Sequence, residues 1–190
     1  NPNNPAGTYI ANSEIQRLRA ALPDRVMLVI DSAYAEFVLR NDYSPGIEMV
    51  ETHDNVVMTR TFSKIYGLAG LRLGWAYCPE EVALVYHRVR SPFNVNSAAQ
   101  AAGLAALHDV AHTDAARAHN DRELAWLHDE CRRLGLPCIP SAGNFLTIQF
   151  GADGPRSAAA AQEFLRTKSV LPRGIGAYGL GAYLRFTVGL

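Results

Sequence analysis

Residues 59–76 read TRTFSKIYGLAGLRLGWA. One lysine, Lys64, stands between the hydroxyls of Thr61 and Ser63 and the guanidinium of Arg72, in an otherwise apolar and glycine-bearing frame. Hydroxyl donors and a guanidinium fork suit a phosphate dianion. Cationic neighbours also favour the lowered lysine pKa that Schiff-base chemistry requires. Gly67, Gly70 and Gly74 would let backbone pass close to a ligand. The plainer alternative is a glycine-bearing turn with a solvated lysine. Upstream, Asp31 is followed three residues later by Tyr34. An aspartate at a strand end can also be nothing more than a turn former.

The elements that must position these residues follow from apolar patterning. Residues 1–8, NPNNPAGT, are turn chemistry. A helix is expected from Ser13, a plausible N-cap, to a stop at Pro23. VMLVI (26–30) and NVVMT (55–59) are short apolar runs without alternation, read as strands covered on both faces, as in a parallel sheet. A third strand is expected over 71–78. In open parallel sheets ligands sit beyond the carboxyl ends of the strands. Asp31 ends one run and the Thr61–Lys64 group follows another, so both could face one crevice. Strand–helix alternation argues α/β.

Past Pro79 the pattern changes. Helices are expected over 80–90, 97–107 and 113–134, a strand over 144–150, a helix over 157–168, a strand edge at 170–171 and a last strand over 183–188. The division is placed near 91–96, giving a sheet-bearing part (1–90) and a smaller α+β part (91–190).

The 190 residues are 48% hydrophobic, with 18 basic and 18 acidic side chains. That composition supports a packed core and argues against disorder. Zero formal charge offers no electrostatic reason for a nucleic-acid or anionic-membrane partner. No apolar run approaches the roughly 20 residues of a membrane span. Cys78, Cys131 and Cys138 are odd in number and lack paired spacing, as in a cytoplasmic protein with reduced thiols. His108 and His112 have i, i+4 spacing but lack the glutamate of H-E-x-x-H, so no metal is expected.

Four motifs in order, NPNNPAG, DSAY, TFSKIYGLAGLRLGWA and YLRFTVG, make the chain resemble the fold type I pyridoxal-phosphate aminotransferases. Their spacing adds specificity, with 27 residues from Asn4 to Asp31, 33 to Lys64 and 8 to Arg72. Within that family NPNNPAGT, RTFSKIYGLAGLRLG, RSPFNVNSAAQAA and LRFTVG are most similar to the histidinol-phosphate branch.

The resemblance implies the following. The cofactor is pyridoxal 5′-phosphate, and the fold is the C-terminal part of a large, mostly parallel cofactor-binding domain followed by a small α+β domain. Lys64 bonds to the cofactor aldehyde and then moves the substrate proton. Asp31 keeps the pyridine nitrogen protonated, and Asn4 and Tyr34 hydrogen-bond the ring oxygen. Thr61, Ser63 and Arg72 hold the phosphate. Arg185 binds an anionic substrate group, with Arg173 as a second anion contact. The chain corresponds to the C-terminal half of a cytoplasmic homodimeric enzyme whose sites lie at the subunit interface. Three activities stay open. They are transamination of histidinol phosphate with 2-oxoglutarate, a related aromatic transamination or threonine-phosphate decarboxylation, and a non-catalytic sensory domain of a transcription regulator.

Overall fold

The computed structural model describes residues 1–189. The chain divides into two units, one of Asn1 and residues 10–117, the other of residues 2–9 and 118–190. That division falls inside a long helix, whereas the sequence division lies near 91–96, between two helices.

The first unit is built on a three-stranded sheet, β1 (Leu28–Asp31), β2 (Val56–Thr61) and β3 (Gly74–Tyr77), in the order β1-β2-β3. Helix α1 (Asn12–Ala21) precedes it, and α2 (Ile47–Thr52) connects β1 to β2. After β3 come α3 (Glu80–Val89), α4 (Ser97–His108) and the start of α5 (Val110–Arg133). Strand β2 is the centre of this unit, with Val56, Val57 and Met58 wholly buried. Burial of each such side chain contributes roughly 1.5–3 kcal/mol. Val56 and Met58 pack with Ile15, Ile30, Met49 and Val50.

β2 is therefore covered on both faces, as its unbroken apolar run implies. β1 is not: Ile30 is buried but Val29 is 53% exposed. The run VMLVI has the composition of a doubly covered strand, yet the packed apolar cluster takes only one of its faces. β1 and β2 run parallel, pairing Asp31 with Thr59. β3 returns antiparallel to β2, pairing Arg60 with Trp75 and Thr61 with Gly74. The link between them supplies no crossover helix of the kind a parallel return uses. It folds back on itself instead, with the Phe62 N–H on the Leu73 carbonyl at 3.0 Å and Leu68 N–H on the Phe62 carbonyl at 3.0 Å.

Two local expectations shift. Helix α1 starts at Asn12, and Ser13 lies inside its first turn, because the Asn12 N–H is taken by the Asp42 carbonyl at 2.7 Å. The third strand, expected over 71–78, shortens to 74–77, since Leu71 ends a 3₁₀ turn and Arg72 after it takes a left-handed backbone. By contrast α4 is capped by Asn96, whose Oδ1 accepts from Ala99 N–H at 2.8 Å.

The second unit carries an antiparallel sheet in the order β4-β5-β7-β6: β4 (Cys138–Ile139), β5 (Phe145–Gln149), β6 (Arg173–Gly174) and β7 (Tyr183–Thr187). Its helices are the rest of α5 and α6 (Ala158–Thr167), the latter capped by Ser157. Leu146 and Ile148 pack against Cys131 and the partly buried Leu124, Leu127 and Phe186. Thr147 is wholly buried in the central strand and satisfies its hydroxyl on the Pro5 carbonyl at 2.6 Å. The edge strand expected at 170–171 forms at Arg173–Gly174, opposite β7. Both sheets and their helices make an α/β fold.

Candidate active site

In the first unit the residues singled out by type and spacing come together at the carboxyl ends of β1 and β2. Asp31 is the last residue of β1 and sits level with Thr59, two residues before the end of β2. Its Oδ1 accepts from Ala33 N–H at 3.1 Å, so it shapes the turn that delivers Tyr34. Tyr34 is buried, and the Lys64 ammonium lies 4.9 Å from its ring centroid. A cation over an aromatic face is attracted by the ring quadrupole, by about 0.5–1 kcal/mol or more.

Beyond β2 the backbone turns through Thr61, Phe62 and Ser63. Ser63 N–H donates to Thr61 Oγ1 at 3.1 Å, and Thr61 in turn reaches the Leu73 carbonyl at 3.4 Å. Arg72 closes the group, its Nη1 donating to the Ala69 carbonyl at 2.8 Å and to Ser63 Oγ at 3.5 Å. Arg72 holds a left-handed backbone with φ 55°. Two hydroxyls and an exposed guanidinium thus share one loop, a donor set that fits a phosphate dianion. An amine and a carboxylate stand at neighbouring strand ends. Of the three glycines, Gly74 makes a close approach, to β2 rather than to open space: an added Cβ would lie 2.8 Å from the Arg60 carbonyl oxygen.

In the second unit Arg185 on β7 donates from Nη1 to Asn4 Oδ1 at 2.6 Å, and its guanidinium lies 4.7 Å from the Phe145 ring centroid. Arg173 is its cross-strand partner on β6. Like charges directly opposite repel unless an anion lies between them. A cavity of about 300 Å³ is lined by both arginines with Pro172, Phe186 and Thr187.

A buried ion pair joins the first group, and sequence reasoning gave neither partner a role. Glu36, two residues after Tyr34, takes both Arg60 Nε (3.2 Å) and Nη2 (2.6 Å) on Oε1. Their positions, two residues after Tyr34 and one before Thr61, were the available signal. Burial raises the Tyr43 hydroxyl pKa to about 12, against hydrogen bonding to Ser32 and the Arg60 charge. Tyr66 is raised for the same reason, with Glu36 adding to the effect. His112 bonds the Ile65 carbonyl at 3.2 Å. Among the described residues no group of three or more His, Cys, Asp or Glu side chains could hold a metal, and no helix is long and apolar enough to cross a membrane.

The sequence profile of the family "Aminotransferase class I and II" matches residues 1–190. The chain belongs to that family. Its relatives include the histidinol-phosphate aminotransferase of Paramagnetospirillum magneticum, 56% identical over 189 residues, which covers 100% of this chain and 52% of the relative. The enzyme of that name from Rhodospirillum centenum is 53% identical, again over 100% of this chain and 52% of its own length. Among solved structures, the histidinol-phosphate aminotransferase of Sinorhizobium meliloti in complex with pyridoxal-5′-phosphate superposes with a TM-score of 0.89 at 30% identity, covering 98% of this chain and 51% of that one. The chain thus spans about half the length of the relatives it matches.

Proposed function

We propose that the chain belongs to a pyridoxal-phosphate-dependent aminotransferase that exchanges the amino group of histidinol phosphate with 2-oxoglutarate. The observation that carries the reading is the meeting of Lys64, Tyr34 and Asp31 at adjacent strand ends, beside the Thr61–Ser63–Arg72 loop. The shared name of the two similar relatives supports histidinol phosphate as the substrate.

Pyridoxal phosphate, when bound, supplies an electron sink for the pair left as the substrate's α-carbon loses its proton. The protein's own groups do the rest. Lys64 Nζ would carry that proton, first as general base and then as general acid. The Asp31 carboxylate keeps a proton on the ring nitrogen. Tyr34 donates to the ring oxygen, and so does the Asn4 amide NH₂, whose Oδ1 is held by Arg185. Thr61, Ser63 and Arg72 hold the phosphate. Arg185 takes the anionic end of substrate, with Arg173 as a second cation for it. A cytoplasmic homodimer is part of the same proposal.

Single-turnover absorbance changes of the cofactor, recorded for the full-length polypeptide, test the substrate. Histidinol phosphate is expected to bleach the cofactor band, and phenylalanine and threonine phosphate to do so weakly or not at all. A response to none of the three would overturn the reading. Carbon dioxide release from threonine phosphate would replace it with a decarboxylase.

A further inference from the structure

We propose that the Glu36–Arg60 ion pair is a positioning pair that sets Tyr34 against Lys64 without touching cofactor or substrate. The proposal rests on the function reading above and adds two residues to it.

Both side chains are largely withdrawn from water, Glu36 9% and Arg60 15% exposed. Glu36 sits in the 3₁₀ turn Ala35–Phe37 that directly follows Tyr34, a turn closed by Phe37 N–H on the Tyr34 carbonyl at 3.1 Å. Arg60 lies on β2 one residue before Thr61 and four before Lys64. Side-chain alternation along the strand sends it to the face opposite Thr61. Two bonds from Arg60 to one carboxylate oxygen therefore tie the Tyr34 turn to the strand that launches the lysine loop. Arg60 is itself held 5.7 Å from the ring of Trp75, its partner across β2–β3. From α5, Arg117 Nε donates to the Glu36 backbone carbonyl at 2.8 Å. The turn is thus gripped by its side chain and by its main chain, from two different elements.

Stability is a poor reason for such a pair. Desolvating two charges offsets most of their attraction, and well-packed apolar residues of similar size often do as well or better. Glu36 Oε2 is moreover buried with no hydrogen-bond partner among the described residues, a further cost. What the pair supplies is direction, because a fork on one oxygen fixes both side chains where apolar packing would leave the turn free to shift. A displacement of about 1 Å at a reacting group can cost on the order of 100-fold in rate.

The test replaces the pair in the full-length polypeptide by Glu36→Leu with Arg60→Met and loads the protein with pyridoxal phosphate. Expected are a melting temperature near that of the parent, kcat lowered by about 10- to 100-fold with KM little changed, and a weakened circular dichroism of the cofactor band. Native dichroism together with native kcat in the folded double variant would overturn the proposal, since a purely structural pair moves neither. Should the double variant not fold, Glu36→Gln keeps the shape and removes the charge. The same loss of kcat and dichroism is expected of it, and native values of both would again overturn the proposal. A parent protein that takes up no pyridoxal phosphate fails the function reading, and the positioning role with it.

Discussion

Arg72 combines a strained backbone with a side chain that two contacts hold in place. Its φ of 55° is a conformation that residues other than glycine adopt at a cost of about 1–2 kcal/mol. Arg72→Gly is expected to leave the cofactor-free protein as stable as before, or more stable by up to about 1 kcal/mol. The same change is expected to weaken pyridoxal-phosphate binding by about 10- to 100-fold, the loss of a charge-assisted bond of roughly 1.5–3 kcal/mol. Denaturant titration and fluorescence titration of cofactor separate the two effects; unaltered affinity would remove Arg72 from the phosphate group. Asp31 makes the opposite case. Asparagine can still accept from Ala33 N–H, so the turn survives Asp31→Asn. Bound yellow cofactor with kcat reduced by at least about 100-fold is expected, because a neutral amide cannot keep the ring nitrogen protonated. A near-normal kcat would rule the role out.

At the scale of elements, β2 leads into the candidate site, and its packing against β3 leaves no slack at one point. A Cβ at Gly74 would meet the Arg60 carbonyl oxygen at 2.8 Å, and backbone cannot swing aside as a side-chain tip can. Gly74→Ala is expected to destabilise the first unit by about 1–3 kcal/mol, read as a lowered urea midpoint at unchanged slope. Because the shift falls at the Arg60–Thr61 step, the cofactor band of the variant should also weaken. The elements that were legible are β2 and β5, each with a clear apolar run, and the helices α4 and α6, expected over 97–107 and 157–168 and found within a residue of those bounds. The short helix α2 went unread, since six residues offer less than two turns of periodicity. The antiparallel return of β3 was unreadable for another reason: strand direction depends on where the connecting loop packs, which no local pattern encodes.

At the scale of the molecule, each unit holds weak acids whose neutral form burial favours, Tyr43 and Tyr66 in the first and Cys131 and Cys138 in the second. Tyr43 in the first unit is raised to about 12 by burial. Cys138 in the second is also raised to about 12, by burial first and then by its neighbour Cys131. The ordinary values are 10.0 and 9.0, so the unfolded chain loses both protons first. The folded state then binds more protons than the unfolded one, and stability must fall as pH rises. The contribution is whole below pH 9 for Cys138 and below pH 10 for Tyr43, and it is lost on passing about 12. Urea midpoints between pH 8 and 12 should show this decline, with a gentler slope in Tyr43→Phe and in Cys138→Ala. A flat profile in the parent protein would contradict it.

Residue type and order alone singled out Lys64, Asp31 and the Thr61, Ser63 and Arg72 donors as candidates, because Schiff-base and phosphate chemistry demand particular side chains at workable spacings. They also located β2, whose apolar run can only be buried. The tertiary structure decided what lies between those residues. It paired Asp31 with Thr59, brought the Lys64 ammonium over the Tyr34 ring, and turned Arg60 from one more cation in an apolar stretch into the partner of Glu36. Those facts join residues 24 to 30 positions apart, and a contact across that distance exists only after the sheet has formed and chosen its register.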